Sequence, residues 1–162
     1  MIRFALTVPV VALMIALSCA AQERSEKPVI PFGMCAGLHS GSAFFMEMGL
    51  GIAHRISFGP CGGGDVGFNG YTVSALFSPG SHPQAGVQGT VWFDAPLLAA
   101  GMNLAYYTDF NQGTLRLKPE LGVGLLVARL VYSLSIPITN GGYSGIGMHQ
   151  LSLRAYIPIR DR

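Results

Sequence analysis

Between Leu115 and Leu125 the chain alternates with a period of two, and no other feature narrows its possible folds as much. Leu115, Leu117, Pro119, Leu121, Val123 and Leu125 share one parity, while Arg116, Lys118, Glu120, Gly122 and Gly124 share the other. A strand sends successive side chains to opposite faces, so this spacing collects leucines on one side and charges on the other. Helical spacing would scatter the same charges around the whole surface. The segment reads as a two-faced strand.

The pattern recurs along the chain. Phe44, Met46, Met48, Leu50 and Ile52 oppose Phe45, Glu47, Gly49, Gly51, Ala53 and Arg55. Tyr71, Val73, Ala75 and Phe77 oppose Thr72 and Ser74, and Ala85, Val87, Gly89, Val91 and Phe93 oppose Gly86, Gln88, Thr90, Trp92 and Asp94. Met102, Leu104, Tyr106, Thr108 and Phe110 oppose Asn103, Ala105, Tyr107 and Asp109. Ala128, Leu130, Tyr132, Leu134, Ile136 and Ile138 oppose Arg129, Ser133 and Ser135, and Leu151, Leu153, Ala155, Ile157 and Ile159 oppose Gln150, Ser152, Arg154 and Tyr156. A first strand around Phe32 to Leu38 shows the least contrast.

Turn-forming residues separate most of these runs: His39-Ser40-Gly41, Gly59 to Asp65, Ser78 to Pro83, Asp94 to Gly101, Asn111-Gln112-Gly113 and Asn140 to Gly145. Between Leu125 and Ala128 no Gly, Pro, Asn or Asp marks a boundary, yet the apolar parity flips from odd to even there. A tight turn or a bulge would each do this. A tight turn is the expectation, because one strand from Leu115 to Ile138 would far exceed the ~9–11 residues that cross a bilayer. The count is about eight strands in an all-β, antiparallel, up-and-down barrel that crosses a membrane.

Alternation alone does not say which face is inside. A soluble lipocalin-type barrel turns its apolar face inward around a ligand, and a membrane barrel turns it to lipid. Charged residues make up only 11% of the chain, too few to coat a soluble domain, and Lys and Arg are absent between Ile56 and Leu115. The second face is rich in Gly, Ala and Ser, which suits a narrow lumen. It also carries both signs of charge, with Glu47, Asp94, Asp109 and Glu120 against Arg55, Arg116, Lys118, Arg129 and Arg154. Buried charges have to be paired. Aromatic residues fall near run ends (Phe44, Phe77, Phe93, Tyr106, Phe110), where interfacial girdles lie. The apolar face is therefore expected to meet lipid. A single transmembrane helix over 121–138 is the rival, but Arg129 at its centre would cost roughly 2.5–3.5 kcal/mol. A formal charge of +2 leaves no footprint for nucleic acid.

The opening residues fit this destination. Arg3, the apolar run Phe4 to Leu17 and the small residues Ser18 to Ala21 follow the plan of a secretory signal peptide spanning 1–21. Residues 22–31 read as a flexible lead-in, and 32–162 as the barrel. Cys19 allows a second reading in which its thiol is acylated, although Ala16-Leu17-Ser18 fits a lipobox imperfectly. The mature chain keeps Cys35 and Cys61, which an oxidising compartment would allow to pair as a disulfide; two separate small residues is the equal alternative.

With its strand pattern and closing run His149 to Ile159, the chain resembles the small bacterial outer-membrane β-barrel proteins, the eight-stranded group with OmpX-like and OmpA-like transmembrane domains. It ends in Arg160-Asp161-Arg162 instead of that group's terminal aromatic residue. The resemblance implies location in the cell outer membrane, with outer-membrane lipids and the assembly machinery as partners, and a monomeric state.

Little in the sequence points to chemistry. Gly59 to Asp65 lacks the Gly-Lys-Ser/Thr ending of a phosphate loop. His39, His54, His82 and His149 show no metal-ligand spacing, so no metal or cofactor is expected. His39, Ser40 and Glu47 could be offered as a catalytic set, but adjacent residues on a strand face opposite ways. The charged residues Glu47, Arg55, Arg116, Lys118, Glu120, Arg129 and Arg154 are expected to form a structural network filling the lumen, with a polar pathway or gated pore as the functional variant. The expected role is structural or surface interaction without enzymatic activity. A lipocalin-like binder of a small apolar ligand is the alternative, and an outer-membrane lipid-modifying enzyme the third option.

Overall fold

The structure, a computed structural model, describes residues 32–57, 66–79, 82–95, 97–125, 128–139 and 145–160; the side chains at 55–57, 66, 125 and 160 are outside that set. Nine strands follow in order: β1 Phe32–Ser40, β2 Phe44–Ser57, β3 Val66–Ser78, β4 Gln84–Ala95, β5 Leu98–Thr108, β6 Gly113–Leu125, β7 Ala128–Leu134, β8 Ile136–Pro137 and β9 His149–Arg160. Each long strand pairs antiparallel with its neighbours in sequence, β7 with β9, and β9 closes the ring on β1. The short β8 continues β7 past Ser135 and pairs with β6. This is an eight-stranded up-and-down barrel with one extra short strand.

The expected tight turn is present, since Leu125 and Ala128 are register partners. The boundary between β4 and β5 is narrower than the turn residues suggested: Ala95 pairs with Leu98, and Ala99 to Gly101 belong to the ladder. Small residues carry too little contrast to reveal their strand by alternation. The expected segments 1–21 and 22–31, Cys19 and Cys61 lie outside the described residues.

The barrel has two ends. Phe32, Ser57, Val66, Ala95, Leu98, Leu125, Ala128 and Arg160 bound the strands at the terminal end; Ser40, Phe44, Ser78, Gln84, Thr108, Gly113, Pro137 and His149 bound them at the distal end.

Faces separate as the alternation predicts. Met48, Leu50, Val73, Val87, Leu104, Leu121, Val123, Leu130, Leu153 and Ile157 point outward and are exposed, Leu121 by 60%. Glu47, Arg116, Lys118, Glu120, Arg129 and Arg154 point inward and are buried, Lys118 completely. Glycines on the inner face make room for the large inward side chains. A Cβ on Gly101 would sit 2.5 Å from Glu120 Oε1, and one on Gly70 would sit 2.7 Å from Trp92 Cζ2. The small-residue face is thus a packing requirement of a narrow barrel filled by side chains.

Candidate functional site: the lumenal charge network

The lumen is built in three levels. At the distal end Phe45, Leu76, Ala105 and Tyr107 form an apolar cluster with Ile146, which the connection from β8 to β9 brings into the mouth. The Phe45 and Tyr107 rings are 5.2 Å apart, in the range of a favourable aromatic pair. Ser42 fastens this connection, donating to the Gly145 carbonyl and accepting from the Gly147 N–H.

Arg154 organises the middle level. Its Nε donates to Glu47 Oε2 at 2.8 Å, while Nη1 donates to Glu120 Oε2 at 2.7 Å and Oε1 at 2.9 Å. One guanidinium from β9 therefore ties a carboxylate on β2 to a carboxylate on β6, which its planar fork of donors suits well. The carboxylates are held from their other sides. Glu47 Oε1 accepts from Ser74 Oγ at 2.6 Å and from Gln88 Nε2 at 3.3 Å. Glu120 Oε2 accepts from Asn103 Nδ2 at 2.7 Å. Lys118 reaches neutral acceptors, donating to Tyr107 Oη at 3.0 Å and Gln88 Oε1 at 3.2 Å. Its Nζ also stands 5.7 Å from the centre of the Tyr107 ring. Arg116 Nη1 donates to Ser135 Oγ at 3.4 Å.

Glu47 Oε2 also lies 2.8 Å from His39 Nε2, and His39 Nδ1 lies 2.7 Å from Ser152 Oγ. A neutral ring donating Nε2–H to Glu47 accepts the Ser152 hydroxyl at Nδ1. Hydroxyl, imidazole and carboxylate in series resemble an activated nucleophile. Here Ser152 is 1% exposed, and the carboxylate oxygen at the end of the series is already bonded to Arg154. The series satisfies buried polar groups on β1, β2 and β9.

At the terminal end, Arg129 stacks 4.6 Å over the Trp92 ring, and Tyr156 lies 5.7 Å from the same ring, its hydroxyl donating to the Gly51 carbonyl at 3.2 Å. Asp94 is buried on this level.

The structure gathers Glu47, Glu120 and Arg154 into one ion-paired cluster and sets Lys118 beside it. Arg116 and Arg129 occupy separate positions towards the two ends, and the side chain of Arg55 lies outside the described residues. One expectation needs correction. Asp109 does not enter the lumen; it caps the turn between β5 and β6, accepting from the Asn111 and Gln112 N–H groups. His39 and Ser40 face opposite ways, as neighbours on a strand should: His39 is buried between Glu47 and Ser152, whereas Ser40 is exposed. Cys35 is a buried free thiol; Cys61, the other half of the disulfide reading, lies outside the described residues. Alternation also marked Gln88, Asn103 and Ser152 as inward, although nothing in their type distinguished them as members of the network. His149 bonds to the Tyr132 hydroxyl and stacks on its ring. Among the described residues no cluster of three or more His, Cys, Asp or Glu could hold a metal.

No protein-family model matches the chain, and neither the curated proteins nor the solved structures contain a match.

Proposed function

We propose that the chain is a monomeric outer-membrane β-barrel with a structural role, its lumen closed by side chains. One observation carries this reading: a belt of exposed apolar side chains surrounds a barrel whose described Lys and Arg side chains are all buried inside. In water this arrangement would expose the apolar belt and bury charge, the reverse of what a soluble domain needs. In lipid the first cost vanishes, pairing inside the lumen offsets the second, and closure pairs the backbone groups that hydrocarbon cannot solvate. Export by residues 1–21, contact with outer-membrane lipids and insertion by the assembly machinery belong to the same proposal.

A structural role is favoured over loop-mediated recognition because the distal connections 41–43, 79–83 and 109–112 are short. The longer one, 138–148, carries Ile146 inward to the lumen mouth. The test is cell fractionation followed by electrophoresis of unheated and boiled samples. A membrane-fraction protein whose mobility changes on boiling is expected, and a soluble protein with one mobility would defeat the reading.

A further inference from the structure

Two residues stand apart in the outer surface. Leu97 and Phe110 are the only non-glycine residues with positive φ among those described, at 66° and 70°. They are also the most exposed large apolar side chains, at 71% and 72%. Left-handed backbone is a place for Gly, Asn or Asp; a bulky apolar residue there is strained. Such strain persists where surrounding structure over-determines it.

The turn around Phe110 is held in that way. Asp109 Oδ1 accepts from the Gln112 N–H at 2.7 Å and the Asn111 N–H at 3.0 Å. Thr108 Oγ1 accepts from the Phe110 N–H at 3.0 Å and donates to the Gln112 carbonyl at 2.9 Å. A polar frame fixes the backbone while the ring projects away from it. Asn111, next in sequence, would take the left-handed position at less cost. At the other site Leu97 follows Pro96 in the two-residue connection between Ala95 and Leu98, where the residue after proline is ordinarily Gly or Asn.

The two residues flank the same strand, Leu97 before β5 at the terminal end and Phe110 after it at the distal end. They are separated by 110 − 97 = 13 residue steps. Ten of these steps, Leu98 to Thr108, are strand, which at about 3.3 Å per step and a tilt of about 40° span about 25 Å along the barrel axis. The apolar band of a membrane barrel is about 25 Å tall and the hydrocarbon about 30 Å thick. Leu97 and Phe110, just beyond the two ends of this strand, therefore lie at the two edges of the apolar band.

We propose that Leu97 and Phe110 are paired interfacial anchors that bind the lipid headgroup–acyl boundary of opposite leaflets and fix the barrel's depth. This deepens the membrane-barrel reading and rests on it. The partner is the boundary layer of the bilayer, which accepts apolar side chains next to hydrogen-bonding turn backbone.

The full barrel, refolded into phosphatidylcholine vesicles, supplies the test. Trp92 is the only tryptophan and is buried in the lumen, so Leu97→Trp and Phe110→Trp each add one reporter whose signal is read as the difference from the parent protein. Lipids brominated near the headgroup end of the acyl chain should quench both reporters more than lipids brominated near the chain terminus, and aqueous iodide should quench neither well. Strong iodide quenching with no bromolipid effect would place the tips in water and overturn the proposal, as would preferential quenching from the chain terminus. Phe110→Asn provides a separate check. In detergent micelles, relief of strain should raise the melting midpoint by about 2–6 °C, and a lowered or unchanged midpoint would count against a strained anchor. Failure of the parent protein to insert into vesicles or change mobility on boiling would instead defeat the membrane reading itself.

Discussion

The two walls of this barrel are built differently. From β2 to β5 the ladders run unbroken, as from Met46 opposite Phe77 to Ser57 opposite Val66, and beside the lumenal rings of Phe45, Trp92 and Tyr107 this wall presents Glu47, Thr72, Ser74, Gln88, Thr90, Asp94 and Asn103, none of them a cation. The wall from β6 to β9 carries all four described cations, Arg116, Lys118, Arg129 and Arg154. It is also the interrupted wall. Pairing of β6 stops at Glu120 opposite Ser133 and resumes at Leu117 opposite Ile136, and Pro119, which has no N–H to offer, lies in the gap. Ser135 N–H faces the other neighbour and extends the β7–β9 ladder by donating to the Met148 carbonyl. Cross-lumen bonds thus join the wall with fewer ladder bonds to the wall with more. Arg154 to Glu47 and Lys118 to Gln88 act as ties.

Removing the tie should have the largest effect. Arg154→Met leaves Glu47 and Glu120 buried without the guanidinium that compensates both. Breaking a buried pair in this way costs about 3–5 kcal/mol, or roughly 6–20 °C in melting midpoint for a chain of this size. The midpoint is read from the temperature at which the compact gel band converts to the unfolded one. Combining Arg154→Met with Glu47→Gln should cost less than the two single losses added, because both act on one interaction. A variant that melts like the parent would show that the walls do not depend on this tie.

Much of this contrast was legible in the chain before any coordinates. The parity of Arg116, Lys118 and Glu120 against Leu117, Leu121 and Val123 identified the inner face, because a strand offers only two faces. Register was not legible. Alternation says that Ser152 points inward, but not that it lies opposite His39, 113 positions earlier. That pairing depends on every intervening hairpin. For the same reason Asp109 was misplaced: its parity continues that of Asn103 and Tyr107, yet the strand ends at Thr108 and the side chain turns back to cap its own backbone. The gap at Pro119 had a sequence sign, since proline is rare inside a sheet. The parity of Pro119 matched the apolar face and concealed it.

A smaller effect should follow from repairing that gap. Pro119→Val keeps an apolar residue on the outer face and supplies an N–H beside Leu134. One added backbone hydrogen bond contributes about 0.5–1.5 kcal/mol. The expected outcome is a melting midpoint a few degrees higher and slower amide exchange from Leu134 to Ile136, measured by mass spectrometry after exchange in micelles. Equal exchange in variant and parent would mean that the interruption has another cause and that the walls differ less in backbone pairing than their ladders suggest.

The corner joining the two walls should respond least, and to pH. Asp109 sits in the connection from β5 to β6, and the N–H groups of Gln112 and Asn111 hold its carboxyl below the usual aspartate range. Those bonds are absent in the unfolded chain, where the group titrates near ~3.9. A folded value below the unfolded one stabilises the corner at pH above the unfolded value, and this contribution is lost as pH falls through the folded value. Asp109→Asn keeps an acceptor for the two N–H groups but removes the titration. Amide protection at Asn111 and Gln112 should therefore fall in the parent relative to the variant as pH drops through this window, while the two behave alike in their pH response at neutral pH. If the ratio of protection stays constant across that range, the carboxylate is not what holds the corner, and the left-handed Phe110 must be kept in place by Thr108 alone.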